Sequence, residues 1–178
     1  MNYSHNTLTL SDDERTMCLA LEQAQRAYAI GEVPVGAVIV DPQGKLVAQG
    51  YNRSIIDHDP SQHAEMMALR AACKTVGNYR LPGYSLFVTL EPCLMCLGAL
   101  LHARLERVVF GAPDPKTGVC GSVLSLHEHT GLNHQTLLSG GVLESECANL
   151  LRQFFRERRT QQSLLKQQAL FDANKVQS

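Results

Sequence analysis

The sequence predicts a three-layer α/β/α fold around a central mixed sheet of five strands. Short apolar runs of strand length alternate along the chain with longer segments in which apolar residues recur at helical spacing. The first two runs are joined by a tight turn and form a hairpin. The 178 residues contain no internal repeat and no linker, so we expect a single domain, residues 1–178, with a core over residues 12–160 and a polar tail over residues 161–178.

The N-terminal half is predicted to contain two helices and two strands. Ser11 and Glu14 have the spacing of a capping box, which predicts that a helix begins there, and Gly31 is its expected end. The hairpin and the second helix follow: strands at residues 35–41 and 46–51 around the turn at 42–45, and an Ala- and Met-rich helix at 63–76.

The C-terminal half is predicted to add three strands and two helices. Pro92 favours the first turn of a helix, because the N–H that proline lacks would have no helical partner there. In chain order we expect a strand at 84–90, a helix at 93–103, a strand at 107–111, a loop at 112–121, a strand at 136–143 and a helix at 144–159. Gly140 and Gly141 weaken the last strand, and the Gln-rich residues after the last helix are expected to fray.

Composition excludes several classes of protein. Hydrophobic residues make up 44% of the chain and charged residues 19%, which is typical of a folded domain and not of a disordered chain. No apolar run approaches the roughly 18 residues of a membrane span, so no membrane partner is expected. The net charge of −1 excludes a protein that binds nucleic acid through its overall basicity.

The charge is nevertheless unevenly distributed. Five acidic and two basic residues give residues 1–34 a net charge of −3, whereas six basic and two acidic residues give residues 150–178 a net charge of +4. A basic tail can contact phosphates, although a solvated helix face has the same charge pattern.

The six cysteines indicate the compartment. Residues 1–10 lack the basic and apolar segments of a secretory signal, so we expect a reducing, cytoplasmic location. Cysteines in such a compartment are buried, catalytic or metal-bound more often than they are paired in disulfides.

Four residues have the types and spacing of a metal-dependent active site. Cys93 and Cys96 lie three apart at a predicted helix start, so their sulfur atoms face one side, and a helix N-terminus favours the thiolates that bind metal. His63 also lies at a helix start, and Glu65 follows it by two residues. Three protein ligands leave a zinc ion one open position for water, whose pKa the metal lowers toward ~7. Glu65 is then free to move protons.

Other interpretations of these four residues remain open. A lone Cys-x-x-Cys also occurs in redox pairs and in structural zinc sites. A structural site would need a fourth ligand, for which the sequence offers Cys18, Cys73, Cys120, Cys147, His58 and His102. The combination of His-Ala-Glu at one helix start with Pro-Cys-x-x-Cys at the next is nevertheless the pattern of the zinc nucleobase deaminases, which favours catalytic zinc.

Longer stretches resemble the bacterial tRNA-specific adenosine deaminases of the cytidine deaminase-like superfamily. Together they span about residues 15–160. The matching stretches are EVPVGA at 32–37, GYNR at 50–53, HDP at 58–60, HAEM at 63–66, NYRL at 78–81, VTLEPCLMC at 88–96, RVVFGA at 107–112, DPKTG at 114–118, NH at 133–134 and FFRERR at 154–159. The basic aromatic segment at 154–159 matters most, because deaminases of small nucleosides lack it.

The resemblance implies the fold, the reaction and the roles of further residues. It implies a cytidine deaminase-like fold, one Zn²⁺ per subunit, a homodimer, and deamination of adenosine to inosine at the first anticodon position of a tRNA. Asn52 would contact the flipped adenosine, and Val35 and Leu90 would wall the pocket. The anticodon-loop surface would include Arg53, Asp114, Lys116, Phe155, Arg158 and Arg159.

Each of these roles has an ordinary structural alternative. In these alternatives, Asn52 caps the end of a strand, and Asp114 and Lys116 are turn residues. Phe155 is a core residue, and the arginines beside it are solvated. The competing functions are a deaminase of free cytosine, cytidine or guanine, a structural-zinc interaction module, and an RNA-binding protein without activity. The segment 154–159 favours RNA over a small substrate, and the intact Glu65 argues against a lapsed enzyme.

Overall fold

The computed structural model describes residues 10–176, and these form one mixed five-stranded sheet with helices on both faces. The expectation that residues 1–10 carry no signal segment falls, apart from Leu10, outside the described residues. The elements in chain order are α1 (Asp12–Ala29), β1 (Gly36–Val40), β2 (Leu46–Tyr51), α2 (Ala64–Val76), β3 (Ser85–Leu90), α3 (Leu94–His102), β4 (Arg107–Ala112), a 3-10 turn (Leu126–Glu128), β5 (Leu137–Ser139) and α4 (Glu144–Val176).

The strand order in the sheet is β2-β1-β3-β4-β5. β1 pairs antiparallel with both β2 and β3, whereas β3, β4 and β5 run parallel to one another. The predicted three-layer fold with a mixed sheet of five strands is therefore confirmed. Because β1 runs against its neighbours, the start of β1 and the ends of β2, β3 and β4 meet at one end of the sheet.

The alternation of side chains along the strands produces two cores. Ala37 and Ile39 of β1 face α2 and α3, whereas Val38 and Val40 face α1 and α4. All four are buried, as expected of a strand covered on both faces. Gly50 of β2 permits the close approach of α2, since a Cβ atom there would lie 2.5 Å from the backbone nitrogen of Ala68.

The N-terminal helix begins and ends as its sequence predicts. The Ser11 side chain accepts a hydrogen bond from the Glu14 amide, and the Glu14 carboxylate accepts one from the Ser11 amide, which is the predicted capping box. At the other end, Gly31 adopts a positive φ of 79° just beyond the helix.

None of the helices within residues 10–176 is long and apolar enough to cross a membrane.

Two predicted boundaries were wrong. The fifth strand was expected to cover residues 136–143, but β5 ends at Ser139. Gly141 has a φ of 87°, which turns the chain, and the Val142 amide donates to the carbonyl of Phe110. The last helix was expected to end near residue 159, but α4 continues to Val176. Residues 160–176 contain no Gly or Pro. Although this segment is polar overall, its many Gln, Leu, Lys and Ala residues have a high helix propensity.

Candidate metal centre and substrate pocket

The three predicted metal ligands converge where α2 and α3 begin. His63 is the N-cap residue of α2, and Cys93 is the N-cap residue of α3. The Nδ1 atom of His63 lies 3.7 Å from the Sγ atom of Cys93 and 3.5 Å from that of Cys96. Zn–S bonds of about 2.3 Å and Zn–N bonds of about 2.0–2.1 Å at tetrahedral angles separate N and S by about 3.6 Å. The donor set therefore fits one zinc ion.

Within residues 10–176, no fourth ligand joins this cluster. In that range, His63, Cys93 and Cys96 form the one group of three or more His, Cys, Asp or Glu residues that could hold a metal ion, and their ligand atoms lie within 4.8 Å of one another. The six alternatives offered by the sequence are not part of it. A metal held by these three side chains keeps one open coordination position, as catalytic zinc does and structural zinc does not.

The local electrostatics favour a thiolate on Cys93. A hydrogen bond from the Cys96 thiol, assisted by His63, lowers the pKa of Cys93 to about 4, so a thiolate is present at neutral pH. The pKa of Cys96 is raised by the same hydrogen bond and by burial. Neither N-cap residue caps its own helix through its side chain, and the positive ends of both helix dipoles point toward the ligands.

Glu65 lies beside the ligands and is 4% exposed. Burial raises the pKa of its carboxyl group to about 7, because the charged form loses its hydration. A carboxyl group with a pKa near the working pH can both accept and donate a proton. Glu65 can therefore act as a proton carrier beside the metal ligands.

A cavity of about 270 Å³ opens onto these groups. Its lining includes the predicted residues His63, Glu65, Cys93, Asn52, Val35, Leu90 and Asp114. The volume lies just below the roughly 300–1,000 Å³ of pockets for drug-sized ligands, so the cavity suits a small ligand.

Asn52 has a defined orientation in this cavity. Its Oδ1 atom accepts a hydrogen bond of 2.9 Å from the amide of Ala64, the first residue of α2. The side chain therefore caps the start of α2, whereas the alternative interpretation of this residue expected it to cap a strand end. Because the oxygen is occupied, the Nδ2 atom is the group that remains to donate to a molecule in the cavity.

Two residues predicted on the RNA surface are engaged in local structure. Arg53 forms a bidentate ion pair with Asp57, with N···O distances of 2.9 and 2.8 Å. Asp114 accepts hydrogen bonds from the Lys116 and Thr117 amides and the Thr117 hydroxyl, which makes it a turn residue as well as a wall of the cavity. Lys116 lies in this turn but does not line the cavity.

The remaining predicted RNA contacts lie on α4. In this helix Phe154 is buried, and its ring lies 5.6 Å from that of Tyr28. Phe155 is 44% exposed, so it is not the core residue that the structural alternative expected. Arg158 lies over the ring of Phe154 at 5.7 Å and, like Arg159, is exposed. These side chains therefore form an exposed basic and aromatic stripe outside the cavity.

Six cavity residues were not predicted. They are Glu32, Val33, Ser54, Ile55, Glu91 and Thr117. Four of them, Glu32, Val33, Glu91 and Thr117, lie within the stretches that carried the family resemblance, and that was the available signal. Ser54 and Ile55 lie in the loop after β2, whose path the sequence did not predict.

Comparisons with known proteins agree with this geometry. Residues 10–112 match the family model described as the cytidine and deoxycytidylate deaminase zinc-binding region. The chain is 47% identical to a tRNA-specific adenosine deaminase of Haemophilus influenzae, over 86% of this chain and 89% of that one. It is 45% identical to a tRNA-specific adenosine deaminase of Bacillus subtilis, over 84% and 92%.

A solved structure from a study of A-to-I editing by tRNA:A34 deaminases has the same fold. It superposes with a TM-score of 0.73 at 40% identity, covering 76% of this chain and 98% of its own.

Proposed function

The chain belongs to the cytidine and deoxycytidylate deaminase family and, within it, to the tRNA-specific adenosine deaminases, and we propose that it converts adenosine to inosine at the wobble position, position 34, of a tRNA anticodon. The observation that carries this proposal is the three-ligand cluster beside a buried Glu65 at one cavity, in a chain that aligns with these enzymes over most of its length. The reaction consumes water and releases ammonia.

His63, Cys93 and Cys96 hold one zinc ion per chain in this proposal. When bound, zinc acidifies water and so supplies a strong nucleophile near neutral pH. Glu65 takes a proton from the attacking water while the water oxygen bonds to adenine C6, and Glu65 then passes that proton to N1. Glu65 then carries the proton of the new C6 hydroxyl group to the amine, the C6–N bond breaks as the C6 carbonyl forms, and ammonia leaves.

The pocket residues orient the base. Asn52 donates from Nδ2 to the nucleotide while its oxygen stays on the start of α2, and the apolar side chains of Val35 and Leu90 bound the ring. A cavity of this size admits the base only after it has left its stack, which costs a few kcal/mol and least in a single-stranded loop. An anticodon loop meets that condition, and its splayed bases suit stacking and edge recognition.

Outside the cavity, the proposed RNA surface joins the loop residues to α4. Phe155 offers an exposed ring on which a base can stack, and Arg158 and Arg159 offer charges for phosphates. Lys116 stands beside the cavity wall on the Asp114 turn. Arg53 contributes in part as a charge and in part by fixing its loop, since Asp57 holds its guanidinium group.

A deamination assay on purified protein tests the proposal. The substrates are an anticodon stem-loop with A at the wobble position, the same stem-loop with A one position away, and free adenosine, cytidine, cytosine and guanine. We expect inosine in the first stem-loop alone. Turnover of a free base or nucleoside with the stem-loop unchanged would contradict the RNA substrate while leaving the metal chemistry intact.

We also propose that the enzyme is a cytoplasmic homodimer and that residues 1–178 act as one deaminase domain. On α3, Leu97, Leu100 and Leu101 are buried in the core, but Leu94 is 58% exposed and Met95 37% exposed. Apolar side chains at the outer surface next to the metal ligands support a subunit contact there. Sedimentation of the wild type and of Leu94→Lys tests it, with a shift toward monomer expected in the variant.

A further inference from the structure

Glu91 is a buried carboxylate that the chemistry does not use. It follows β3, is 3% exposed and lines the cavity. Its Oε1 atom accepts hydrogen bonds from the amides of Cys120 (2.8 Å) and Ser122 (3.1 Å). Its Oε2 atom accepts one from the amide of Asp114 (2.9 Å) and one from the hydroxyl of Ser122. Both oxygens are thus fully used as acceptors, by donors from a single loop.

That loop, residues 113–122, is shaped around the carboxylate. A Cβ atom at Gly118 would overlap the Glu91 carboxyl group and lie 2.7 Å from the carbonyl oxygen of Asp114. Glycine is therefore the residue that leaves room for the carboxylate inside the loop. The backbone adds two further contacts: Cys93 forms a β-bridge with Gly118, and the Val119 amide donates to the Pro92 carbonyl.

The same loop forms one wall of the substrate pocket. Asp114 and Thr117 line the cavity, and neither belongs to a helix or strand. Their position therefore depends on what fixes the loop. Most of the side-chain hydrogen bonds that tie residues 113–122 to the rest of the protein end on Glu91.

We propose that Glu91 is a positioning residue that sets the pocket wall for the RNA nucleotide, by holding the loop 113–122 through four hydrogen bonds. A charged acceptor suits this task, because each of its two oxygens accepts two bonds and charge-assisted bonds are the stronger ones. The substrate part of this inference rests on the proposed function, but the hydrogen-bonded clamp does not.

The substitution Glu91→Gln separates the clamp from the bulk of the side chain. The amide has the same size but replaces one acceptor oxygen by an NH₂ group. That group is best accommodated in the Oε2 position, because the Ser122 hydroxyl can turn and accept a bond from it. The Asp114 amide cannot turn in this way and loses its acceptor. Glu91→Gln should therefore release the Asp114 end of the loop and leave the Cys120 end in place.

Two readouts test the proposal. Amide hydrogen exchange on the free protein should show at least tenfold faster exchange at Asp114 in Glu91→Gln, with smaller changes at Cys120 and Ser122. The KM for the anticodon stem-loop should rise about tenfold, and kcat should fall by less than that. A misplaced wall weakens binding of the substrate and of the transition state by similar amounts, which raises KM and changes kcat little. Zinc content should stay at one per chain.

Asp13→Asn is the matched control. Asp13 forms a bidentate pair with Arg107 at 2.8 and 2.6 Å, at the end of the sheet away from the cavity. The substitution replaces a hydrogen-bonded carboxylate without touching the loop, so a general loss of stability would appear in both variants.

Unchanged exchange at Asp114 in Glu91→Gln would overturn the clamp. Faster exchange with an unchanged KM would overturn its role in positioning substrate. If the wild type does not act on the stem-loop at all, the proposed function fails, while exchange at Asp114 still decides the clamp.

Discussion

At the scale of single residues, Glu65 has a property that its sequence position does not reveal. Glu65 is 4% exposed, and burial raises the pKa of its carboxyl group to about 7. Glu65→Gln keeps the shape but cannot exchange the proton. We expect kcat to fall by about 10²–10⁴-fold with zinc retained. Single-turnover kinetics and metal analysis of the same sample measure both, and a variant that keeps most of the wild-type rate would exclude Glu65 as the proton carrier.

Cys93 is expected to be necessary for metal binding. Cys93→Ser replaces a thiolate of low pKa by a hydroxyl that stays protonated, so zinc should fall from one per chain to well below half. Cys73→Ser is the control, since Cys73 is a thiol outside the cluster and should leave the metal content unchanged. Atomic absorption on both purified proteins gives the answer. Full zinc occupancy in Cys93→Ser would remove Cys93 from the ligand set.

Asn52 combines two roles that substitution can separate. Asn52→Asp keeps an oxygen for the Ala64 amide but loses the donor that faces the cavity. Asn52→Ala loses both and should also cost about 1 kcal/mol of stability, as the loss of a helix cap does. We expect at least tenfold lower kcat/KM in both variants and a clear drop in melting temperature only in Asn52→Ala. Wild-type activity in Asn52→Asp would leave Asn52 a capping residue alone.

At the scale of elements, α4 joins the folded core to the proposed RNA surface. Phe154 anchors the helix, while Phe155, Arg158 and Arg159 remain exposed. Neutralising both arginines to Gln should weaken stem-loop binding. It should also make the plot of the logarithm of the association constant against the logarithm of salt concentration less steep, by about 0.7–0.9 for each phosphate that the helix no longer neutralises.

The control for this prediction is Arg15→Gln with Lys45→Gln, which removes two cations at the far end of the sheet. Fluorescence anisotropy over a salt series compares the two double variants. An equal slope in the wild type and in the α4 variant would make α4 a solvated face.

The elements show which signals in a sequence are reliable. The capping box at Ser11 and the buried strand at residues 36–40 were predicted almost to the residue, because local chemistry determines them. The predicted α4 was too short because polar composition alone does not end a helix, and helix propensity stays high to Val176. The predicted β5 was too long because its end depends on the turn at Gly141 and on pairing with β4.

The metal ligands were predictable because residue type and spacing restrict them strongly. The carboxylate clamp was not, because Glu91 acts on amides 23 to 31 residues later in the chain. No pattern within a short window contains that information. The loop after β2, with Ser54 and Ile55, escaped prediction for the same reason.

At the scale of the whole molecule, zinc adds to a fold that has its own core. Buried apolar side chains cover both faces of the sheet, and the three ligands lie at one end of it. Removing zinc with a chelator should abolish activity and lower the melting temperature, since a ligand of the native state stabilises it by mass action. Far-UV circular dichroism should keep its native shape, and added zinc should restore activity. Loss of the helical spectrum on chelation would show that the metal is required for folding.

The order of strands in the sheet has a consequence for synthesis on the ribosome. The three neighbouring strands β2, β1 and β3 are complete by Leu90. β1 and β2 form a local hairpin, whereas Ala37 of β1 pairs with Val88 of β3, 51 residues later. β4 begins only at Arg107, so until it emerges the apolar strand β3 presents an unpaired edge, of the kind that invites association with another chain. Nascent chains whose segment outside the ribosome ends between residues 90 and 107 are therefore expected to expose β3 as an edge strand, and emergence of β4 is expected to cover it.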